Sequence, residues 1–217
     1  MLFRTDELPH VATPLPKNYG WKKHRPARFR TAADDAIGEG LATLEAGDVL
    51  SWWTDGRWSM HELIGGVLDR TGPARLTVAT WTVKEAPLRA LKTLQERGQI
   101  VRLVGIVDSR NEGTNADAYH YARRFFDQVV KVHNHAKIAV IQNERWSVSI
   151  VGSANLTKNP RREAGVILTD PGTAHFYEFL LTETLETDER RTTNRGREPR
   201  GAVFQPPGSG PDCGCDG

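Results

Sequence analysis

Two residues apart, His135 and Lys137 bring an imidazole and an ammonium together in the stretch Val132-His133-Asn134-His135-Ala136-Lys137-Ile138-Ala139-Val140-Ile141. On an extended strand, side chains two apart share a face, so this pair points one way while Ile138 and Val140 point the other. A second polar cluster, Gly152-Ser153-Ala154-Asn155, follows the apolar pair Ile150-Val151. A hairpin return carries that cluster to the neighbouring strand end. Imidazole, ammonium, hydroxyl and carboxamide then converge on one point. Phosphodiester chemistry asks for this set: a nucleophile for phosphorus, and donors for the non-bridging oxygens as charge develops on them.

Other readings of the same residues are weaker. His133-Asn134-His135 spells the letters HNH, but the nuclease motif of that name is not contiguous. As a metal site, His133 and His135 lack a Cys or acidic partner at suitable spacing. No metal and no cofactor is therefore expected.

The elements that must position these groups alternate between strand and helix patterns. Residues 49–53 read as a short apolar strand. Ser59 can cap a helix through Arg70, with Glu62 at the capping-box position and Leu63, Ile64, Val67 and Leu68 on one face. Residues 75–83 are β-branched and strand-like, 85–97 are helical with Leu88, Leu91 and Leu94 on one side, and 100–107 form an apolar run suited to a strand covered on both faces. A helix over 115–128, a strand over 129–132, a hairpin of 137–141 with 146–151, a strand over 163–169 and a helix over 173–185 complete the pattern. The fold class is α/β: a mixed, mostly parallel sheet flanked by helices. Asp108, Ser109 and Arg110 follow a buried strand, where ligands of α/β sheets tend to bind, although loop solvation is the simpler account of them. Trp52, Trp53, Trp58 and Trp81 read as core and rim rather than as platforms on which bases stack.

The motif residues resemble the HKD signature of the phospholipase D-like superfamily: His-x-Lys, then Gly-Ser-x-Asn, then an acidic residue, here Glu163. The resemblance runs over roughly residues 48–187, includes Ala79-Thr80-Trp81-Thr82, and is closest to the small bacterial single-motif endonucleases. It implies a two-step reaction in which His135 attacks phosphorus, a second histidine protonates the leaving oxygen, and water resolves the phosphohistidine. It further implies that Lys137, Asn155 and Ser153 hold the phosphoryl oxygens and that Glu163 orients the imidazole. One position departs from the signature. Gln142 stands where the family has Asp, and it keeps hydrogen-bonding capacity without charge. The motif occurs once, and none of His10, His24, His61, His120, His133 and His175 has a Lys two residues on. The second histidine must then come from another copy, which implies a homodimer with a shared site.

The remainder of the chain bears on partners. The formal net charge is +2, so only local clusters can argue for nucleic acid. Residues 1–45 read as a basic N-terminal arm, 46–187 as the catalytic domain, and 188–217 as an Arg-rich, then Gly/Pro-rich tail expected to be mobile. Within the arm, Lys22, Lys23, Arg25 and Arg28 are candidates to contact a nucleic-acid backbone, as are Arg161 and Arg162 nearer the motif. DNA is favoured over RNA. No apolar run is long enough to span a membrane, and no stable membrane association is expected. The only cysteines, Cys213 and Cys215, cannot staple a fold, and a reducing, cytoplasmic setting is expected. Two other functions stay open: a phosphatidyl hydrolase or transferase, and a non-catalytic phosphate- or nucleic-acid-binding module, the latter supported by Gln142.

Overall fold

The computed structural model describes residues 28–110, 116–158 and 160–195, with backbone alone for Phe29 and 189–195. Eight strands form one sheet: β1 (Arg28–Ala33), β2 (Asp48–Thr54), β3 (Ala74–Thr80), β4 (Ile100–Asp108), β5 (Gln128–Val132), β6 (Ile138–Gln142), β7 (Ser147–Gly152) and β8 (Glu163–Leu168). Their spatial order is β1-β2-β8-β7-β6-β3-β4-β5. Helices α1 (Asp34–Ala42), α2 (Met60–Thr71), α3 (Glu85–Glu96), α4 (Ala116–Ala122) and α5 (Pro171–Arg195) flank it. The expected mixed sheet flanked by helices is thus found. The parallel majority holds for strand direction but not for pairing. Among the described strands only β6 and β8 run against the rest. Both lie inside the sheet, so each makes two antiparallel neighbours, giving four antiparallel pairings against three parallel ones.

Alternation along the strands splits the core into two layers. Leu76 and Val78 of β3 and Ala139 and Ile141 of β6 pack with Leu63, Ile64 and Val67 of α2 and Leu88 and Leu91 of α3. Ala79 and Val140, one residue out of phase, pack with Ala174, Leu181 and Leu185 of α5. Glu62 reaches back to the Ser59 amide at 2.9 Å and starts α2 as the sequence pattern requires. Asn143 turns the β6–β7 hairpin: its carboxamide oxygen accepts the amides of Arg145 at 3.0 Å and Trp146 at 2.8 Å. It also fixes the hairpin to the end of α2 through the Thr71 carbonyl at 3.0 Å.

Several expected boundaries are corrected. The arm anticipated over 1–45 gives way at Arg28, where β1 pairs in parallel with β2 and α1 buries Ile37 and Leu41. The helix anticipated over 115–128 ends at Ala122. Phe126 leaves the helical path to pack on Gly105 of β4, where any Cβ would lie 2.6 Å from its ring. The last helix starts earlier than expected, with Pro171 following Asp170, whose carboxylate accepts the Thr173 amide at 2.6 Å. It also continues to Arg195, past the anticipated boundary at 187, because residues after the buried Leu185 include the good helix formers Glu186, Arg190 and Arg191. Residues 196–217, with Cys213 and Cys215, lie outside the described residues.

Gly152 and Gly165 face each other across β7 and β8, with the buried Trp52 ring over both. A Cβ on Gly165 would fall 2.3 Å from the Val151 carbonyl oxygen and 2.6 Å from Trp52 Cζ2. Neither neighbour is a flexible side-chain tip. Gly165→Ala is therefore expected to destabilise the fold by about 1–3 kcal/mol, the usual cost of overpacking, read as a lower denaturant midpoint at unchanged slope.

Candidate active site

The carboxyl ends of β3, β4, β5 and β7 and the amino ends of β6 and β8 share one edge of the sheet. The five motif residues meet at that edge: His135 and Lys137 just before β6, Ser153 and Asn155 just after β7, and Glu163 opening β8. The His-x-Lys segment lies outside any strand and precedes the ladder of β6. It is held by Asn134, whose side chain accepts the Ala136 amide at 3.1 Å, and by the Lys137 carbonyl, which accepts the Gly152 amide at 3.2 Å.

Lys137 Nζ lies 3.4 Å from His135 Nδ1 and donates to the His135 carbonyl at 2.6 Å. Burial pushes the Lys137 pKa below that of an ordinary lysine, while the negative charges of Glu163 and Asp108 act against the shift. Lys137 therefore sits where an added anion would stabilise its charged form. The imidazole of His135 is exposed. Its ring centroid stands 5.3 Å from that of Trp81, tilted by 48°.

Asn155 is oriented from β3. Its Oδ1 accepts the Thr80 hydroxyl and the Thr82 amide, both at 3.3 Å. An amide N–H can only donate, so this contact identifies the oxygen and leaves the Nδ2 hydrogens for a ligand. Thr80 also accepts the Leu156 amide at 3.2 Å, and Lys84 donates its amide to the Leu156 carbonyl at 2.9 Å. The two segments are thereby clamped together. Ser153 donates its hydroxyl to Glu163 and accepts the Ala164 amide at 3.1 Å. The orientation of His135 by Glu163, which the resemblance implied, is not made: the carboxylate is taken by Ser153 and reaches Lys137 only through its charge.

The other sequence candidates divide. Arg28 is structural rather than available to a ligand. Its guanidinium spans Asp48 at 2.8 and 2.7 Å and reaches Glu45 at 3.1 Å, and Asp48 is buried. Lys22, Lys23 and Arg25 lie outside the described residues. Arg161 and Arg162 are exposed in the loop entering β8, at the same sheet edge as His135. His133 points to Ser109, with Nδ1 3.1 Å from its hydroxyl. Gln142 ends β6, five residues beyond Lys137, opposite Arg75 and Ser147. Among the described residues no three His, Cys, Asp or Glu side chains gather as a metal cage would require.

Two residues that the sequence reading named without assigning them to the site also lie at this edge. Trp81, expected in the core or rim, is 38% exposed beside His135. Asp108 is fully buried at the end of β4 and accepts the Asn134 amide at 2.9 Å, the Arg110 amide at 3.0 Å and Arg110 Nε at 2.7 Å. Their shared signal was position at a strand's carboxyl end.

Of the comparisons with known proteins, one shows a family. The family model described as "Cardiolipin synthase, PLD-like domain" matches residues 72–182, about half of the chain. No curated protein sequence matches. Among solved structures, the archaeal chromatin protein TrmBL2 superposes with a TM-score of 0.45 at 10% identity, covering 67% of this chain and 54% of that one. Polyphosphate kinase from Porphyromonas gingivalis gives 0.45 at 13%, covering 71% and 27%. Phosphatidylserine synthase from Haemophilus influenzae Rd KW20 gives 0.43 at 15%, covering 65% and 38%. The chain spans about half or less of each of these proteins, and likenesses of this size say nothing about function.

Burial alone would raise the Asp108 pKa. The hydrogen bonds from Arg110 and from the Asn134 and Arg110 amides outweigh it, and the carboxyl is held below the usual range. A depressed folded-state pKa contributes stability that is present above the unfolded value of about 3.9 and lost as pH falls through the folded value. Unfolding by urea from neutral pH down to about pH 2.5 should show wild type losing that increment below about pH 4. Asp108→Asn should start lower at neutral pH and lose less on acidification.

Proposed function

This chain belongs to the PLD-like domain family, whose chemistry is phosphodiester-related transfer or hydrolysis, and from that premise we propose a metal-independent nuclease that works through a phosphohistidine at a site shared by two copies. The observation that carries the reading is the approach of Lys137 Nζ to within 3.4 Å of His135 Nδ1 at an exposed sheet edge. The Asn155 Oδ1 is held by the strand end that carries Trp81, which supports a donor role for its Nδ2.

In the first step, unprotonated His135 forms a bond to phosphorus, and the phosphorus–oxygen bond to the leaving strand breaks. The leaving oxygen takes a proton from His135 of a second copy. In the second step, water attacks the phosphohistidine and gives its proton to that second imidazole. The nitrogen–phosphorus bond breaks and His135 is restored. Lys137 and Asn155 hold the non-bridging oxygens, with Ser153 at the same edge, and the lysine and the second imidazolium supply positive charge. Glu163 acts by fixing Ser153 and by its charge on Lys137. Arg161, Arg162 and the basic cluster with Lys22, Lys23 and Arg25 would meet the nucleic-acid backbone. Among the described residues no helix is long and apolar enough to cross a membrane.

Removing a nucleophile removes the covalent route, so His135→Ala should lower kcat by several orders of magnitude without moving the unfolding midpoint. The assay offers plasmid, single-stranded DNA, RNA and phospholipid in EDTA. Activity that EDTA abolishes and a divalent ion restores would defeat the metal-free mechanism, and turnover of phospholipid alone would favour phosphatidyl transfer.

The shared site makes a second, independent claim. Two copies facing across a two-fold axis bring two Lys137 ammonium groups together, which is costly without an anion between them. Inorganic phosphate or sulfate should therefore shift sedimentation toward the dimer. A strict monomer that still cleaves phosphodiesters would rule out the composite site.

A further inference from the structure

At the exits of β4 and β5 a second group of cationic and hydrogen-bonding side chains lies beside the His-x-Lys pair, and the reaction proposed above does not use it. Arg110 donates to the buried Asp108 through Nε at 2.7 Å and Nη2 at 3.3 Å, yet 65% of its side chain stays exposed. Ser109, between them, donates its amide to the Val132 carbonyl at 2.9 Å. Its hydroxyl stands 3.1 Å from Nδ1 of the exposed His133. The Arg110 guanidinium lies 5.8 Å from the Trp81 ring centroid, and Lys137 Nζ lies 5.7 Å from the same centroid. Arg110 and Lys137 are therefore no further apart than the sum of these two distances, with the indole against both.

Compensating the buried charge of Asp108 needs only the edge of the guanidinium that faces it. Asp108 takes the Nε hydrogen and one Nη2 hydrogen, and the remaining Nη hydrogens meet no hydrogen-bond acceptor among the described residues. One edge of the fork is thus anchored and the other is presented at the sheet edge where a phosphodiester would be attacked. A planar guanidinium held in this way takes two oxygens of one phosphate. When Nδ1 of His133 accepts the Ser109 hydroxyl, its Nε2 carries the hydrogen and can donate to the same anion. Phosphates of one strand follow one another every ~3.4 Å along a duplex axis and lie further apart in an extended strand. A second anion site this close to Lys137 therefore matches the neighbouring phosphate of the same strand. A phospholipid with a single phosphodiester has no second phosphate to place there.

We propose that Arg110, with His133, forms a subsite for the phosphate adjacent to the scissile one. This inference rests on the nuclease reading and adds to it the part of the substrate that is held beside the reacting phosphorus. Phosphate contacts fix the register of a strand and carry no sequence information, so the subsite positions the strand without selecting its bases.

The test gives the full chain, in EDTA, a dinucleotide with a single phosphodiester and the same dinucleotide carrying a terminal phosphate at its 5′ or its 3′ end. A long homopolymer strand is the reference substrate, and each is used in deoxyribose and ribose form. The readout is the ratio of kcat/KM for phosphodiester cleavage in the better end-phosphorylated dinucleotide to that in the unphosphorylated one. Wild type should give a ratio of roughly 10, in the range of a charge-assisted hydrogen-bonded contact. Arg110→Met should bring the ratio toward one, and His133→Ala should lower it. Arg110→Met strips the buried Asp108 of its counter-charge, so the paired variant Asp108→Asn with Arg110→Met is measured beside it. The asparagine keeps an acceptor for the Asn134 amide, and the same loss of the ratio is expected. A wild-type ratio retained by the folded Arg110 variants would assign the gain to the general field of Lys137 and its neighbours, and would overturn the subsite. An unchanged ratio in His133→Ala alone would remove the histidine from it. A wild-type ratio of one, or cleavage of the homopolymer and of no dinucleotide, would overturn the subsite while the nuclease reading stood. Cleavage of no substrate by wild type, homopolymer included, would remove the nuclease reading and the subsite with it.

Discussion

Asp108 is a carboxylate with no exposed surface at the end of β4, and a buried charge of this kind is tolerated only where hydrogen bonds and a counter-charge replace its water. Arg110 supplies the counter-charge from two residues on. The amide of Asn134, twenty-six residues away in sequence, supplies a further donor. That last bond makes the interaction more than local. It ties the segment between β5 and β6 to β4, one residue before His135. Asn134 then folds its own side chain over Ala136, and the Lys137 carbonyl engages β7. The geometry of the histidine and the lysine is thus set from β4 through a short chain of directional contacts, each replaceable only by a group with the same donor or acceptor.

The other half of the site is positioned by close backbone approach. Gly152 and Gly165 let β7 and β8 pass beneath Trp52 with no Cβ on either. Ser153 and Glu163 follow and precede this pair and meet at the sheet edge. Asn155 is then locked by Thr80 and Thr82 of the β3 exit. Two reversed strands inside an otherwise co-directional sheet are what bring the amino ends of β6 and β8 to the edge where β3, β4, β5 and β7 finish. Without the reversal of β6, Lys137 would sit at the opposite edge from Asn155.

Strand and helix positions in the middle of the chain were legible because their apolar periodicities are strong: the capped stripe of α2 and the run of β4 needed no tertiary information. The site motif was legible for a different reason, since His135, Lys137, Ser153, Asn155 and Glu163 are polar residues at strand ends. What escaped depends on partners distant in sequence. β1 carries Arg28 and Arg30, which read as a basic arm until Asp48 and the backbone carbonyls of Gly40 and Thr43 are seen to receive them. The early end of α4 goes with the packing of Phe126 on Gly105, a contact that only the folded sheet creates. Trp81 could be read as core or rim because local sequence does not say that His135 lies beside it. The direction of Glu163 toward Ser153, rather than His135, is likewise a matter of which hydroxyl lies nearer in space.

The same spatial reasoning bears on the one departure from the family signature. Gln142 ends β6, which starts directly after Lys137, so the strand separates the two by about 16 Å. Its ladder neighbours are Arg75 and Ser147, and it borders a shallow surface lined by Pro73, Val101, Asn143 and Glu144. A carboxylate there would act on the phosphoryl site only through its field. At physiological ionic strength exposed charges are screened over about 8 Å, half that separation. The charge that Gln142 lacks is therefore missing from the far end of the strand, where its influence falls on the β3–β6 pairing near Arg75. The donors that meet at the candidate site's edge are untouched by the exchange, so the altered letter of the motif gives no physical ground by itself for reading that site as degenerate.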